Sequence, residues 1–219
     1  MESTLCADLR RDNNSQCRII ETFHVQGGRV RYADLHMARL SKAADLLAYP
    51  LDHEELHAVM DATVSKQDDA PMRGRLTLAH DGEITCEAFP LAHGAAVWRV
   101  GLCGQRLLSS DPWLQVKTTR RTLYDTVRQE LPNELDEMLF LNEREELCEG
   151  TITNVFVEKN GALWTPPARS GCLPGILREV LLNEGRAHEA VLTMGDLKSA
   201  DQLWVGNALR GLIRADLRL

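Results

Sequence analysis

Several features that would assign a class directly are missing from this sequence. No uninterrupted apolar stretch approaches the ~20 residues that cross a bilayer, and the chain does not open on a basic region followed by an apolar one. The six cysteines form no C-x-x-C pair, which favours reduced thiols over a disulfide frame or a zinc site. There is also no G-x-G-x-x-G or Walker A loop for a dinucleotide or a nucleoside triphosphate. We predict a cytoplasmic protein that spans no membrane and holds no metal.

Basic residues are too few for a general nucleic-acid surface. The 219 residues include 25 Lys and Arg against 32 Asp and Glu, which gives a formal charge of −7. This balance argues against binding to nucleic acid or to an anionic membrane, while local basic clusters can still hold a small anion. With 44% hydrophobic and 26% charged residues, the composition is that of a soluble globular protein.

The first half of the chain predicts a small α+β subdomain over residues 18–92. Residues 1–17 are polar and favour a flexible N-terminal arm. A strand from Ile19 to Val25, a Gly27-Gly28 turn and a return at Arg29–Arg31 predict a hairpin. The other predicted elements are a helix over Leu35–Ala48 capped by Asp34, a second helix after Asp52, and strands at Arg73–Ala79 and Glu83–Phe89 joined by a turn at His80-Asp81-Gly82.

The second half predicts a larger subdomain over residues 97–219, after a passage of Pro, Gly and small residues at 90–96. Strands and helices follow one another in mixed order, so the chain is predicted to be an α/β (α+β) protein of two subdomains. The predicted strands are Val97–Cys103, Glu137–Asn142, Thr153–Val157, Ala162–Thr165, Glu189–Leu192 and Gln202–Val205, and the predicted helices are Thr119–Glu130 and Ile176–Asn183.

Lys117 is the first candidate for chemistry. It lies in V-K-T-T-R-R, directly before a predicted helix. A lysine is a competent imine-forming nucleophile when nearby cations or an apolar setting lower its pKa, and Arg120 and Arg121 supply such cations. The alternative is a solvated basic turn, because most runs of Lys and Arg face solvent.

Glu149 and three anion-binding features complete the set of candidates. The Glu149 carboxylate, followed by Gly and a strand-like run, can keep a heteroaromatic nitrogen protonated by charge pairing; the alternative is an ordinary surface Glu. Gly175 opens a predicted helix whose first amides can hold a phosphate, and the alternative is a plain helix start. Asn207-Ala208 can form a second amide cradle. Arg39 can clamp an anion, although an arginine on a helix surface is more common.

Taken together, these segments resemble the fold-type IV pyridoxal-phosphate enzymes, the aminotransferase class IV family. The matching words, in chain order, are I-E-T, H-x-x-R-L, K-T-T-R-R, E-G-T-I-T-N-V-F, T-P-P, L-P-G-I-L-R and N-A-L-R-G, and they extend over residues 19–211. The resemblance implies a small α+β subdomain with a larger barrel-like one, and pyridoxal 5'-phosphate as the cofactor. It also implies a homodimer, because relatives complete their pockets across a two-fold interface.

The resemblance assigns a role to each candidate by its position. Lys117 would form the Schiff base with the cofactor and shuttle the proton, and Glu149 would pair with the pyridine nitrogen. The cofactor phosphate would be bound by Arg39, the backbone amides of Ile176, Leu177 and Ala208, and the Asn207 region. Candidates for holding substrate carboxylates are Arg73, Arg75, Arg120, Arg121 and Arg210.

Within the family, the words K-T-T-R-R, L-P-G-I-L-R and N-A-L-R-G most resemble the aminodeoxychorismate lyases. This implies conversion of 4-amino-4-deoxychorismate to 4-aminobenzoate and pyruvate, in folate synthesis, with an aminodeoxychorismate synthase as a candidate partner. One alternative is a class IV aminotransferase that acts on branched-chain or D-amino acids with the same cofactor residues. The other is a non-catalytic protein that keeps the fold and only binds a ligand or a partner.

Overall fold

The computed structural model describes Leu9 and residues 16–65, 69–92 and 94–218. The chain divides into two units: one holds Val116–Arg120 and the described residues of Met1–His93, and the other holds Gly94–Gln115 and the described residues of Arg121–Leu219. The division between residues 93 and 94 falls within the passage 90–96. Most of the predicted arm, residues 1–17, lies outside the described residues; of its described residues, Leu9 and Cys17 are buried.

The first unit is built on one antiparallel sheet and two helices. The elements are β1 Ile19–Gln26, β2 Arg29–Val30, α1 Ala33–Leu47, α2 His53–Val64, β3 Met72–Leu78 and β4 Ile84–Pro90. The four strands lie in the order β2-β1-β3-β4. The predicted hairpin is confirmed, because β1 pairs with β2 around Gly27 and Gly28, whose φ angles of 55° and 67° suit a tight hairpin turn.

The core of this unit lies on one face of the sheet. Ile19 and Phe23 of β1 are buried together with Leu76 and Leu78 of β3, as expected for alternate residues that point to one side. Phe23 is paired with Gly74, where an added Cβ would lie 2.0 Å from the Phe23 ring. Only glycine at position 74 therefore allows the ring to pack flat across the neighbouring strand.

Of the two helix N-caps predicted in this unit, one is confirmed and one is wrong. The predicted cap of α2 is confirmed, because the Asp52 side chain accepts hydrogen bonds from the amides of Glu54 and Glu55 at 2.9 and 3.1 Å. The predicted cap of α1 is wrong: the helix begins at Ala33, and the N-cap is Tyr32 with a left-handed φ of 59°. Asp34 lies inside the first turn instead, where its negative charge interacts favourably with the positive end of the helix dipole.

The second unit is built on one curled sheet. Its elements are β5 Val97–Leu107, α3 Thr122–Gln129, β6 Glu137–Asn142, β7 Leu147–Gly150, β8 Asn154–Lys159, β9 Ala162–Thr165, α4 Ile176–Asn183, β10 Ala187–Glu189, α5 Met194–Lys198, β11 Gln202–Asn207 and β12 Gly211–Leu217. The eight strands lie in the order β10-β9-β8-β11-β12-β5-β6-β7. Leu147 on the last strand donates its amide to the Leu192 carbonyl at 2.7 Å, just beyond β10. This link between the two edges confirms the predicted barrel-like form of the sheet.

Several predicted bounds in the second half are corrected. The predicted helix from Thr119 begins only at Thr122, because residues 117–119 bond to strand β1 instead. For the same reason Lys117 lies in the first unit, whereas we predicted it in the larger subdomain over residues 97–219. The predicted strand Glu189–Leu192 is found at Ala187–Glu189, and the strand predicted over Val97–Cys103 extends to Leu107. Three elements, β7, β12 and α5, were not predicted.

Among the described residues, no helix combines the length and the apolar character needed to cross a membrane. The described cysteines, Cys17, Cys86, Cys103, Cys148 and Cys172, are free thiols.

Candidate active site

Lys117 is held beside strand β1 in the first unit. Its carbonyl accepts a hydrogen bond from the amide of Ile20 at 3.0 Å, and Thr118 pairs with Ile19 in an antiparallel bridge. Directly paired residues point to the same face of a sheet, and successive residues alternate between faces. Lys117 therefore points to the opposite face from Ile19, away from the core. Lys117 is half-buried and its main chain is bonded to β1. Its role as the imine-forming lysine stays a prediction.

The sheet face that Lys117 shares carries two arginines. In the register of β1 with β3, Thr22 pairs with Arg75 and His24 pairs with Arg73. We call these four residues the arginine face. Arg73 is exposed and Arg75 is half-buried. This face therefore presents positive charge on the side of the sheet to which Lys117 points.

Arg39 lies on helix α1 and is paired with Glu21 of strand β1. Its Nε donates to Glu21 Oε1 at 2.8 Å, and its Nη2 donates to Oε2 at 2.6 Å. His36, one turn earlier, places Nδ1 2.6 Å from the same Oε2. Glu21 and His36 have no exposed surface. The buried carboxylate thereby fixes the orientation of the Arg39 guanidinium.

Protonation of Glu21 is coupled to folding. Burial alone would raise the pKa of this carboxyl, but the charge of Arg39 and the hydrogen bonds from His36 and Arg39 outweigh burial and lower the pKa from 4.5 to about 2. Glu21 is therefore ionised in the folded protein at neutral pH and keeps a full charge next to Arg39.

We expect Glu21→Gln to remove an acid-sensitive part of the folding free energy. Because the pKa of Glu21 is lowered on folding from 4.5 to about 2, the carboxylate stabilises the fold above pH 4.5 and loses this contribution as the pH falls toward 2. The contribution is about 3 kcal/mol. Urea unfolding across this range should show the difference between wild type and variant shrinking as the pH falls. Glu54→Gln, in the exposed first turn of α2, is the control; a pH-independent difference for Glu21→Gln would contradict the assignment.

Glu149 lies on strand β7 in the second unit, with only 7% of its surface exposed. Its Oε1 accepts a hydrogen bond from the Tyr124 hydroxyl at 2.7 Å, and its Oε2 accepts one from the amide of Leu173 at 3.0 Å. The interpretation of Glu149 as an ordinary surface residue is therefore wrong. Hydrogen bonds to both oxygens restrict the orientation of this buried carboxylate, and its charge suits the predicted pairing with a protonated ring nitrogen.

The segment before helix α4 forms a cradle of backbone amides. Gly175 caps the helix without a side-chain hydrogen bond, so no capping side chain occupies the first amides, at Ile176 and Leu177. Asn154 holds the segment, because its Nδ2 donates to the Leu173 carbonyl at 2.9 Å and its Oδ1 lies 2.0 Å from the place of a Cβ at Gly175. A glycine is thus required, and the helix start favours an anion such as a phosphate.

The end of strand β11 lies next to this cradle. Gly206 pairs with Asn154 in the sheet, and a Cβ at position 206 would lie 2.8 Å from the side chain of Leu177. Gly206, near the end of β11, therefore lies beside Leu177 in the first turn of helix α4. The joint role of the two segments in binding an anion stays a prediction.

The Asn207 side chain shapes the turn that follows β11. Its Nδ2 donates to the Ile152 carbonyl at 3.1 Å, and its Oδ1 accepts from the amide of Arg210 at 3.0 Å. The side chain is engaged on both sides with protein groups. What this segment offers an anion is therefore its backbone, including the buried Ala208.

Two of the other candidate arginines are engaged with neighbouring groups. Arg121 donates from Nε to Asp125 and from Nη2 to the Thr151 carbonyl, each at 2.7 Å. Arg210 has its guanidinium 5.9 Å from the centre of the Trp98 ring. Arg121 thus ties helix α3 to the turn after Glu149. Arg73 has a comparable ring contact, with its guanidinium 5.1 Å from the centre of the Phe89 ring, so these contacts alone do not rank the candidate arginines. Arg120 is exposed.

The structure adds residues that we did not predict for the site. Glu21 and His36 hold Arg39, Tyr124 holds Glu149, and Asn154 holds the amide cradle. A signal for Glu21 is present in the sequence, because it alternates with Ile19 and Phe23 and so places an acid on the apolar face of a strand. Such an acid needs a buried cationic partner. Tyr124 and Asn154 have no comparable local signal.

Comparison with known proteins places this fold in one structural class. It matches the fold-type IV enzymes, which are lyases and aminotransferases that depend on pyridoxal phosphate. The chain belongs to the amino-transferase class IV family, whose profile matches residues 18–216. It is accordingly an enzyme of that class, and the non-catalytic alternative is set aside.

Its relatives carry names of both activities. A solved structure from Mesorhizobium loti, provisionally named an amino-acid aminotransferase, is 44% identical with a TM-score of 0.88, and the match covers 93% of this chain and 100% of that one. A Thermotoga maritima protein provisionally named a branched-chain-amino-acid aminotransferase is 28% identical over 92% of this chain and 77% of its own length. A Schizosaccharomyces pombe protein provisionally named an aminodeoxychorismate lyase is 25% identical over 83% of this chain and 82% of its own length.

A shorter match concerns a Methanocaldococcus jannaschii protein that is also provisionally named a branched-chain-amino-acid aminotransferase. It is 37% identical over 76 residues, which are 32% of this chain and 26% of that protein. At these identities the relatives do not distinguish a lyase from an aminotransferase.

The residues present fit pyridoxal phosphate. The buried, doubly hydrogen-bonded Glu149 suits the protonated pyridine nitrogen, and the glycine-built amide cradle at Gly175 suits the phosphate. Lys117 offers a half-buried amine. These donor types match the three parts of the cofactor that a protein must hold: the aldehyde, the ring nitrogen and the phosphate.

Proposed function

We propose that the chain is a pyridoxal-phosphate-dependent lyase that converts 4-amino-4-deoxychorismate to 4-aminobenzoate and pyruvate. The observation that carries this proposal is the arginine face. Lys117, Arg73 and Arg75 point to the same side of the small sheet, so an amine-reactive group and two guanidinium groups share one surface. This combination suits a substrate with one amine and two carboxylates, as 4-amino-4-deoxychorismate has.

Each group of residues in the proposed site has a separate role. Lys117 would hold the cofactor through its Nζ, and the same amine would take the proton from the amine-bearing carbon of the substrate. Glu149 keeps the ring nitrogen protonated. The backbone amides of Ile176, Leu177 and Ala208, with the Asn207 region, would bind the phosphate, and the resemblance to the family assigns Arg39 to the same group. When bound, the cofactor supplies an electron sink for the electron pair released at that carbon.

The substrate carboxylates are assigned to Arg73 and Arg75. Guanidinium groups bind carboxylates in a bidentate way and fix the direction of the substrate. The enolpyruvyl oxygen leaves as pyruvate after the proton is removed, and the ring becomes aromatic. The atoms of the substrate are all recovered in the two products, so no keto acid is consumed.

A class IV aminotransferase is the second candidate. The 44% identity to the Mesorhizobium loti protein provisionally named an amino-acid aminotransferase favours it. In that case the same Lys117 would move the proton, an amino acid would become a keto acid, and a second keto acid would take up the amino group through the chemistry that the cofactor supplies. The side chain of a branched-chain amino acid needs an apolar surface, whereas the arginine face is charged, so this face favours the lyase over a branched-chain aminotransferase.

Two assembly features are proposed on the resemblance to the family. We propose that the chain is a homodimer, and that an aminodeoxychorismate synthase supplies its substrate. Light scattering of the purified protein tests the dimer. Co-purification with the synthase tests whether the two proteins also associate.

The function is tested by incubating the protein and pyridoxal phosphate with enzymatically generated 4-amino-4-deoxychorismate, with all keto acids omitted. We expect 4-aminobenzoate and pyruvate in equal amounts, without stimulation by an added keto acid. If no product forms, while amino acids convert the bound cofactor to its amine form, the second candidate replaces the first.

A further inference from the structure

The Tyr124 hydroxyl makes a close contact with the carboxylate proposed to hold the cofactor ring. The hydroxyl donates to Glu149 Oε1 at 2.7 Å, while the amide of Leu173 donates to Oε2 at 3.0 Å. Two of the donors to this carboxylate therefore come from different elements, Tyr124 from α3 and Leu173 from the loop before α4. Two donors at opposite oxygens restrict the rotation of the carboxylate group.

Tyr124 is itself held in place by packing. Its ring meets the buried Phe140 ring edge-to-face, with centroids 5.1 Å apart. The Arg121 guanidinium lies 5.4 Å from the Tyr124 ring centre and also bonds the Thr151 carbonyl, two residues beyond Glu149. The tyrosine is therefore a fixed donor and not a surface hydroxyl that meets Glu149 by chance.

The electrostatics of the pair agree with this geometry. Burial, followed by the charge of Glu149 and the hydrogen bond to it, raises the pKa of Tyr124 far above its usual range. The phenol consequently keeps its proton at all pH values at which the enzyme works. A donor that stays protonated stabilises the ionised form of its carboxylate partner.

We propose that Tyr124 is a positioning residue that keeps the Glu149 carboxylate ionised and aimed at the cofactor ring nitrogen. This inference rests on the proposed role of Glu149 and names a residue that controls it. Tyr124 touches neither cofactor nor substrate in this role. Its effect on turnover passes through Glu149 alone.

The test is a double-mutant cycle on the holoenzyme. Tyr124→Phe keeps the ring that packs on Phe140 and removes only the hydroxyl. We expect kcat to fall about 10-fold, the affinity for pyridoxal phosphate to change less than about threefold, and the acid limb of the kcat profile to move to higher pH, because one hydrogen bond to the carboxylate is lost. In a Glu149→Gln background, Tyr124→Phe should have no further effect on kcat.

Tyr49→Phe is the matched control, because it also removes a buried hydroxyl, one that donates to the Cys17 carbonyl in the first unit. Thermal melting of each apo variant and the pH titration of the bound cofactor's absorption band give readouts that are independent of turnover. Only Tyr124→Phe should shift the absorption titration, and it should not do so when Glu149 is replaced by Gln.

The outcomes separate the two proposals. If Glu149→Gln keeps full turnover, the proposed role of Glu149 fails, and the role of Tyr124 fails with it. If Glu149→Gln is impaired while Tyr124→Phe behaves like Tyr49→Phe, only the positioning role is overturned. It is also overturned if Tyr124→Phe lowers kcat equally in the Glu149→Gln background, or if the variant loses cofactor affinity and thermal stability in proportion to kcat.

Discussion

Replacing Lys117 with alanine should lower kcat by at least about 10³-fold, because the variant loses both the amine that holds the cofactor and the base that moves the proton. The geometry of the main chain should survive the change. Main-chain contacts hold this segment, among them the Ile20 amide to the Lys117 carbonyl and the Thr118 bridge, and these do not use the lysine side chain. Steady-state turnover and the absorption spectrum of the bound cofactor check this prediction.

Lys159→Ala is the control for this experiment. Lys159 lies at the end of β8, and its Nζ is 3.4 Å from the hydroxyl of Ser199 at the surface. It should keep wild-type turnover. Undiminished turnover in Lys117→Ala would refute the role of Lys117, and an equal loss in both variants would show a general effect of removing positive charge.

Replacing Glu149 with glutamine should lower kcat by about 10²-fold and weaken cofactor binding much less. The charge of the carboxylate matters most when negative charge develops on the ring in the transition state, whereas the phosphate contacts that carry much of the binding are untouched. Glutamine keeps the shape and can still accept the Tyr124 hydrogen bond at its carbonyl oxygen. Measurement of kcat next to the dissociation constant of pyridoxal phosphate separates the two effects.

Glu130→Gln, at the exposed end of helix α3, is the matched control and should leave both quantities unchanged. Equal losses of kcat and cofactor affinity in Glu149→Gln would indicate a merely structural carboxylate. Such a result would remove the argument from the buried Glu149 while leaving the amide cradle in place.

Local sequence patterns predict the elements whose determinants are close together in the chain. The cap at Asp52 depends on residues two and three positions away, and the hairpin depends on Gly27 and Gly28. Strand β6 and helix α4 match their predicted bounds for the same reason. The start of α1 is mispredicted, because Tyr32 adopts a left-handed conformation that its residue type does not favour.

Strand β7 is absent from the prediction because its residues are poor strand formers. Glu149 and Gly150 favour turns or helices when considered alone. The strand exists because β6 pairs with it and because its residues are all buried. Pairing across strands, rather than propensity, therefore determines the setting of Glu149.

The location of Lys117 also depends on a long-range contact. Residues 117–119 join strand β1, nearly a hundred positions earlier in the chain, and no local pattern records such a pairing. The match of short sequence motifs to the family predicts which residues form the site. The structure is needed to show that Lys117 shares a face with Arg73 and Arg75, and that Tyr124 reaches Glu149.

The most direct test of the account is reduction of the holoenzyme with borohydride, followed by tryptic digestion and mass spectrometry. If Lys117 holds the cofactor, the added mass appears on a peptide that runs from Leu107 to Arg120, because trypsin no longer cleaves after the modified lysine. The mass should be lost in Lys117→Ala. A stable adduct on Lys42, Lys66, Lys159 or Lys198, or no adduct at all in a protein that binds pyridoxal phosphate, would contradict the account.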